Sequence, residues 1–270
     1  MRLSIIFVLI SVARAVESHA IDVPEIIRKS VQATETNFRE AQKYTFIEHD
    51  IVSKKDGPKT SKTYQVLFID GSPYEKSIAE DNRPLTAEEQ KAEDRNLQEE
   101  VYKREHESAQ ERSRRVAKYQ KGQAENQALM RDMAEAFRFR LVKDEKLDGR
   151  DVYEFEASPK PGYVPRTRET RVLLGMMGTL WVDKETCQWV KVEAQVVKSV
   201  SFYGFLAKVG PGTRFELEQE PVAGKIWLPK HFSVLVKASA LGFLNENSTD
   251  DETYWNYRLM TKAIELEAMR

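Results

Sequence analysis

The chain has 270 residues, with 42 Lys and Arg against 43 Asp and Glu, four His, a single Cys and 41% hydrophobic residues. A formal charge of −1 excludes an overall basic field for nucleic acid, and one cysteine excludes an intramolecular disulfide or a four-cysteine metal site. A globular protein remains, long enough to bury a sizeable core as one large domain or two small ones.

Met1-Arg2 followed by the apolar run Leu3 to Ala13 has the form of a secretory signal. The run is too short to cross a bilayer, and small residues offer cleavage after Ala15 or, preferably, after Ala20. Residues 1–20 are therefore read as a signal peptide and 21–270 as a single domain exported to the periplasm. No cysteine follows the run to carry a lipid anchor, and no later stretch reaches the ~18 apolar residues of a membrane helix. The processed chain is expected to be soluble, with no stable transmembrane anchor.

From Asp22 the apolar period becomes helical. Ile27, Val31, Thr34, Phe38 and Ala41 share one stripe, and Asp22 with Glu25 has the spacing of a capping box. Strand signals follow at Tyr44 to Val52, Thr60 to Ile69 and Tyr74 to Ala79, separated by Lys55-Asp56-Gly57-Pro58 and Asp70-Gly71-Ser72-Pro73. The opening reads as a helix and then an antiparallel meander.

An insertion over about 86–137 interrupts the meander. Residues 86–121 contain nine acidic and nine basic side chains, Thr86 with Glu89 forms a second capping box, and Glu99 and Glu100 stand four residues before Lys103 and Arg104. This predicts a long solvated helix with thin apolar content, chiefly Leu97, Val101 and Val116. Gly122 punctuates the pattern, and a second helix from about Gln123 to Ala136 carries Leu129, Met130, Met133, Ala134 and Phe137 on one face. The expectation is a charged helical hairpin or a bent helix. The cluster Arg112, Arg114, Arg115, Lys118 and Lys121 has interleaved acids upstream and no aromatic series, so a nucleic-acid arm is not expected. A solvated face is the default, and a docking surface for a protein partner or anionic headgroups is the sharper alternative.

The remainder is strand and turn. Strands are expected at Val152 to Ala157, Gly178 to Asp183, Gln188 to Ser199, Phe202 to Val209, Thr213 to Glu220, Ile226 to Ala238 and Thr253 to Met260. About eleven or twelve consecutive antiparallel strands with few helices give an α+β fold, a large curved sheet or open half-barrel covered by helices.

Three blocks carry a resemblance: Gly149-Arg150-Asp151-Val152-Tyr153-Glu154-Phe155-Glu156-Ala157-Ser158-Pro159-Lys160, then Gly178-Thr179-Leu180-Trp181-Val182-Asp183-Lys184-Glu185-Thr186, then Trp189-Val190-Lys191-Val192-Glu193. Together they resemble the outer-membrane lipoprotein-sorting (LolA-like) superfamily. In that superfamily a strand ending in a Trp-hydrophobic-Asp turn leads into a long returning strand. The resemblance implies an open antiparallel half-barrel wrapped over helices, with an apolar concave face that takes acyl chains or apolar peptide parts. The insertion at 86–137 is longer and more charged than the family's usual connection.

Groove candidates follow from composition: Met176 and Met177, Phe202, Tyr203, Phe205 and Leu206, then Leu241, Phe243 and Leu244. Aromatic and methionine residues at such spacing also fill cores, and two consecutive strand residues cannot both face one cavity. Leu129, Met133 and Phe137 are candidates for a lid. No catalytic motif is present: no G-x-S-x-G, S-x-x-K, H-E-x-x-H or P-loop occurs, and Cys187 sits in an expected turn. His49 and Asp50 point to opposite faces of a strand, and His106 and His231 are isolated. Asp250, Asp251 and Glu252 read as a solvated turn without calcium-loop spacing, and Asn247-Ser248-Thr249 is a glycosylation sequon only in a eukaryotic host. The sequence therefore predicts a non-catalytic periplasmic binding protein without metal or cofactor. Its expected ligand is a lipid or an acylated peptide or lipoprotein. The alternative is an envelope sensor or scaffold that docks a protein partner through the charged helix.

Overall fold

The computed structural model describes residues 21–54, 57–202, 207–224, 226–240 and 244–261. The expected signal peptide lies outside the described residues. Helix α1 (Val23–Ala41) starts where Asp22 accepts the Glu25 N–H at 3.0 Å, with a proline in its first turn. Glu25 does not reach back; its carboxylate pairs with Arg28 at 2.6 Å. The buried face is Ile27, Ser30, Val31, Thr34 and Asn37, rotated at its end from the expected stripe, and Phe38 is only half-buried. Hydrogen bonding explains the rotation. Asn37 Nδ2 donates to Gln188 Oε1 at 2.7 Å, and its Oδ1 accepts the Trp227 N–H at 3.2 Å, so a polar side chain enters the core with both ends satisfied.

Strands β1 (Tyr44–Lys54), β2 (Thr60–Ile69), β3 (Ser72–Glu80) and β4 (Arg83–Pro84) form the meander. Helices α2 (Ala87–His106) and α3 (Ala109–Ala136) follow. Next come β5 (Phe137–Leu147), β6 (Arg150–Pro159), a 3-10 turn over Glu169–Gly175, β7 (Met176–Asp183) and β8 (Trp189–Val196). The chain continues with β9 (Val200–Phe202), β10 (Ala207–Val209), β11 (Arg214–Ala223), β12 (Ile226–Ala240) and β13 (Leu244–Leu259). Among the described residues thirteen strands join one antiparallel sheet of order β4-β3-β2-β1-β13-β12-β11-β8-β7-β6-β5, with β10 joined to β12 and β9 to β10. The sheet does not close: its path ends at β4 and β5. The fold is α+β, an open half-barrel over helices.

Strand registry defines the two faces. Phe155, Leu180, Val192, Leu217, Phe232, Glu252 and Asp50 stand opposite one another in turn across β6, β7, β8, β11, β12, β13 and β1, and therefore share the inner face. Helix α1 lies on that face. Its Ile27 and Val31 pack with Phe155, Leu180, Val182 and Trp189, and the Trp189 indole donates to Ser30 Oγ at 2.9 Å.

Three expectations are corrected by the structure. The insertion breaks at Glu107-Ser108 rather than at Gly122, which lies within α3. The decisive signal is a capping box in which Ser108 Oγ accepts the Glu111 N–H and Glu111 bonds back. The strand expected over 202–209 is split, because residues 200–202 and 207–209 pair antiparallel with each other. Asp250, Asp251 and Glu252 do not form a turn. They lie within β13, opposite Val52, Ile51 and Asp50 on one side and Val234, Ser233 and Phe232 on the other. Pairing with two long neighbours outweighs the low strand propensity of Asp and Asn. The sequon at Asn247 is also within β13.

The hairpin straddles the β2–β3 turn. Leu97 of α2 is fully buried against Leu67 and Ile69, whose side chains face outward. Tyr119 of α3 stacks edge-on against Phe68, which faces inward, with ring centroids 5.8 Å apart. Helix α2 thus covers the outer face and α3 the inner face. Arg104 donates to the carbonyls of Ile69 at 2.8 Å and Ser72 at 2.9 Å, while Arg115 donates to Ser72 Oγ at 2.7 Å and pairs with Glu107. Gly71 allows this approach: its φ is +89°, and an added Cβ would meet a Val116 methyl at 3.3 Å.

Candidate functional site

An open groove of about 640 Å³ runs between α1, the C-terminal half of α3 and the beginning of β5. Its apolar lining comes from Val23, Ile27, Val31, Ala134, Phe137 and Phe139, and its charged lining from Arg28, Glu35, Arg131, Glu135, Arg138 and Lys160. The elements explain the division. On α1 Val23, Ile27 and Val31 supply the apolar lining and Arg28 and Glu35 flank it, and on β5 residues alternate as Phe137-Arg138-Phe139-Arg140, with the rings on the inner face. Ile27, Val31, Ala134, Phe137 and Phe139 also border a smaller cleft of about 50 Å³ that continues inward to Met133, Met176, Leu180 and Trp189. The floor of the groove is thus continuous with the core beneath α1.

The rim is ordered by ion pairs. Arg131 of α3 meets Glu35 of α1 at 2.5 Å, and Arg166, in the connection after β6, pairs with Glu135 at 2.5 Å and with the buried Asp132 at 3.0 Å. Arg138 and Lys160 are exposed, and neither has a carboxylate partner among the described residues.

The sequence-based groove candidates that the structure describes fall in β7, β9 and β13. Met176 is buried in β7, and of the pair Met176-Met177 parity sends Met176 to the inner face. Leu129, Met133 and Phe137, named for a lid, pack with Ala136, Leu173, Met176 and Val196. Phe202 ends β9 and stands opposite Ala207, and Leu244 begins β13 opposite Ala240. Tyr203, Phe205, Leu206, Leu241 and Phe243 lie outside the described residues. Sequence reasoning missed Val23, Val31 and Phe139 as groove residues. The available signal was the Phe-Arg-Phe-Arg alternation that opens β5.

The other part of the inner face is polar. Glu48 and Asp50 of β1 lie beside Glu252 and Asp250 of β13, with Tyr64, Tyr254 and Tyr257 around them. Burial, reinforced by the charges of Asp50, Glu252 and Glu75, pushes the Glu48 carboxyl up to about 8. Burial also raises Asp50 and Glu252, and Asp50 Oδ1 is enclosed without a hydrogen-bond partner. The Tyr254 hydroxyl donates to Glu252, that of Tyr257 donates to the Pro229 carbonyl at 2.5 Å, and burial raises both phenols.

The remaining chemistry-bearing residues are dispersed. His49 Nδ1 is 2.8 Å from Thr63 Oγ1 on the outer face, away from Asp50, and His231 Nε2 is 3.1 Å from Asp251 Oδ2. His106 stacks on Tyr102 near the end of α2. Cys187 occupies a left-handed turn position with φ 56°. Among the described residues no group of His, Cys, Asp or Glu is arranged to hold a metal ion, and no helix is long and apolar enough to cross a membrane.

No family model and no curated protein matches the chain. Among solved structures it is similar to a LolA superfamily protein from Nitrosomonas europaea, at 12% identity over 92% of this chain and 97% of that one, with a TM-score of 0.33. It is also similar to a Vibrio parahaemolyticus domain named for outer membrane lipoprotein sorting, at 13% identity over 90% and 100% of the two chains, TM-score 0.31. A third is a DUF1329 family protein from Desulfovibrio piger, at 13% identity over 92% and 99%, TM-score 0.33. The chain has the open half-barrel form that the resemblance of its blocks at 149–193 implies.

Proposed function

We propose that the chain is a non-catalytic binding protein of the periplasm that holds the apolar part of a lipid or acylated peptide in the groove between α1, α3 and β5. The observation that carries this reading is the continuity of an apolar groove of about 640 Å³ with a methionine-walled cleft in the core. The volume falls within the roughly 300–1,000 Å³ common for ligand sites. The thioether side chains of Met133 and Met176 can repack to widen the cleft, since methionine is unbranched and rotates about three bonds.

Binding would be driven by burial. Each methylene removed from water contributes about 0.8 kcal/mol, so some six buried methylenes supply about 5 kcal/mol without a covalent step. Charged groups at the rim keep the polar end of an amphiphile in solvent. The alternative in which α2–α3 docks a partner has fewer free cations than its sequence suggests, because Arg104, Arg112 and Arg115 are engaged at the β2–β3 turn and its flank.

Native mass spectrometry of the protein purified gently from the envelope fraction of its host tests the reading. A stoichiometric lipid or acylated peptide released on denaturation is the expected result. An apo mass that gains nothing from a panel of phospholipids and fatty acids would overturn it.

A further inference from the structure

A sheet ends in rows of main-chain donors and acceptors, and the two ends of this one differ. The β4 end is two residues long and leads at once into α2, with Arg83 paired to Glu89 at 2.9 Å. The β5 end is a strand of 11 residues that pairs with β6 on one side and, among the described residues, with no strand on the other. The bond from the Lys160 N–H to the Ala136 carbonyl, 2.7 Å, sets the parity. In an antiparallel pair every second residue exchanges bonds with its neighbour, so Arg138 and Arg140 bond to β6 while Phe139 turns its N–H and C=O outward. Pro159, which has no N–H, falls opposite Phe137, where none is required.

The same residues border the groove. A strand laid along β5 would send every second side chain over the inner face, toward the space between Phe139 and α1. Its alternate side chains would lie beside Arg138 and Lys160, which stand exposed at the edge of the groove without a carboxylate partner among the described residues.

We propose that the outer edge of β5 docks an extended peptide segment of a partner protein, apolar at every second position and acidic between, adding a strand to the sheet with its apolar side chains in the groove. This rests on the groove being a binding site, and adds that the main chain of the ligand is recognised. Exposed arginines also serve simply to guard a sheet edge against pairing, and the experiment separates the two roles.

The full chain is titrated with a capped fluorescent peptide of alternating valine and glutamate, long enough to span residues 137–141, the part of β5 before its register shift between Leu141 and Lys143. The same peptide N-methylated at alternate residues is the control, and dansyl-undecanoic acid serves as a separate groove probe. The expected result is saturable binding of the first peptide, roughly tenfold weaker with N-methylation and with Arg138→Glu, and saturable binding of the fatty acid by the parent chain. Absence of peptide binding, or equal binding of the N-methylated peptide, overturns the proposal. Loss of fatty-acid binding alone counts against the lipid groove and leaves the peptide edge standing.

Discussion

Arg131 of α3 and Glu35 of α1 meet at 2.5 Å across the mouth of the groove, although 96 positions separate them in sequence. The pair spans the gap through which an acyl chain would enter. Arg131 is about half exposed, so the pair contributes at most ~1 kcal/mol to stability. Arg131→Ala is therefore expected to leave the urea midpoint nearly unchanged and to raise the association rate of a fluorescent fatty acid several-fold. Stopped-flow mixing checks this; an unchanged rate shows that the pair does not gate the groove.

Glu48 gives the protein a pH dependence of defined sign. Its folded-state value of about 8 lies above the ordinary 4.5 because of burial and the neighbouring Asp50, Glu252 and Glu75. Below the ordinary value the group is protonated in both states. Between about 4.5 and about 8 the unfolded chain ionises while the folded one resists, so stability falls as pH rises through that window. Urea unfolding at several pH values should show this decline. Glu48→Gln, neutral throughout, should flatten it and be the more stable form at the alkaline end.

Arg104 has a side chain only 6% exposed, and its guanidinium bonds to three main-chain carbonyls, of Ile69, Ser72 and Pro73, as well as to Glu100. Arg104→Met is expected to cost roughly 2–4 kcal/mol, since carbonyls and a carboxylate lose charge-assisted partners. Hydrogen exchange should rise throughout α2 before it rises in β6–β8. The exposed Arg114→Ala should stay within about 0.5 kcal/mol of the parent in the same urea assay.

Asn37→Ala removes from a buried site the hydrogen bonds that this side chain makes with the Trp227 N–H and with Gln188 Oε1. A loss of roughly 2–4 kcal/mol is expected, measurable as a lower urea midpoint with an unchanged slope. An effect below about 0.5 kcal/mol would show that water replaces the amide.

These residues also show what can be read from the sequence. Period-two alternation in Tyr64, Val66 and Phe68, the Thr86-Glu89 box and the Gly-bearing turns report interactions between neighbours in sequence, and the meander and hairpin follow from them. Asn37 could not be read in this way, because its partners lie 151 and 190 positions away. The acidic stretch of β13 was misread for a related reason: its strand state comes from β1 and β12, not from its own propensity. The groove is the same kind of object. Val23, Ala134 and Phe139 belong to three local patterns, and no single period announces that their faces meet.

The contrast between the two sheet ends limits self-assembly. A sheet open at both ends can extend indefinitely by adding copies edge to edge, whereas this one has its β4 end shortened to two residues and overlaid by a helix. Should β5 of one molecule meet β5 of another, each would occupy the other's β5 edge. Such an encounter would terminate at a pair, so the architecture can keep a long strand available for recognition without supplying the repeating contact from which a fibre grows.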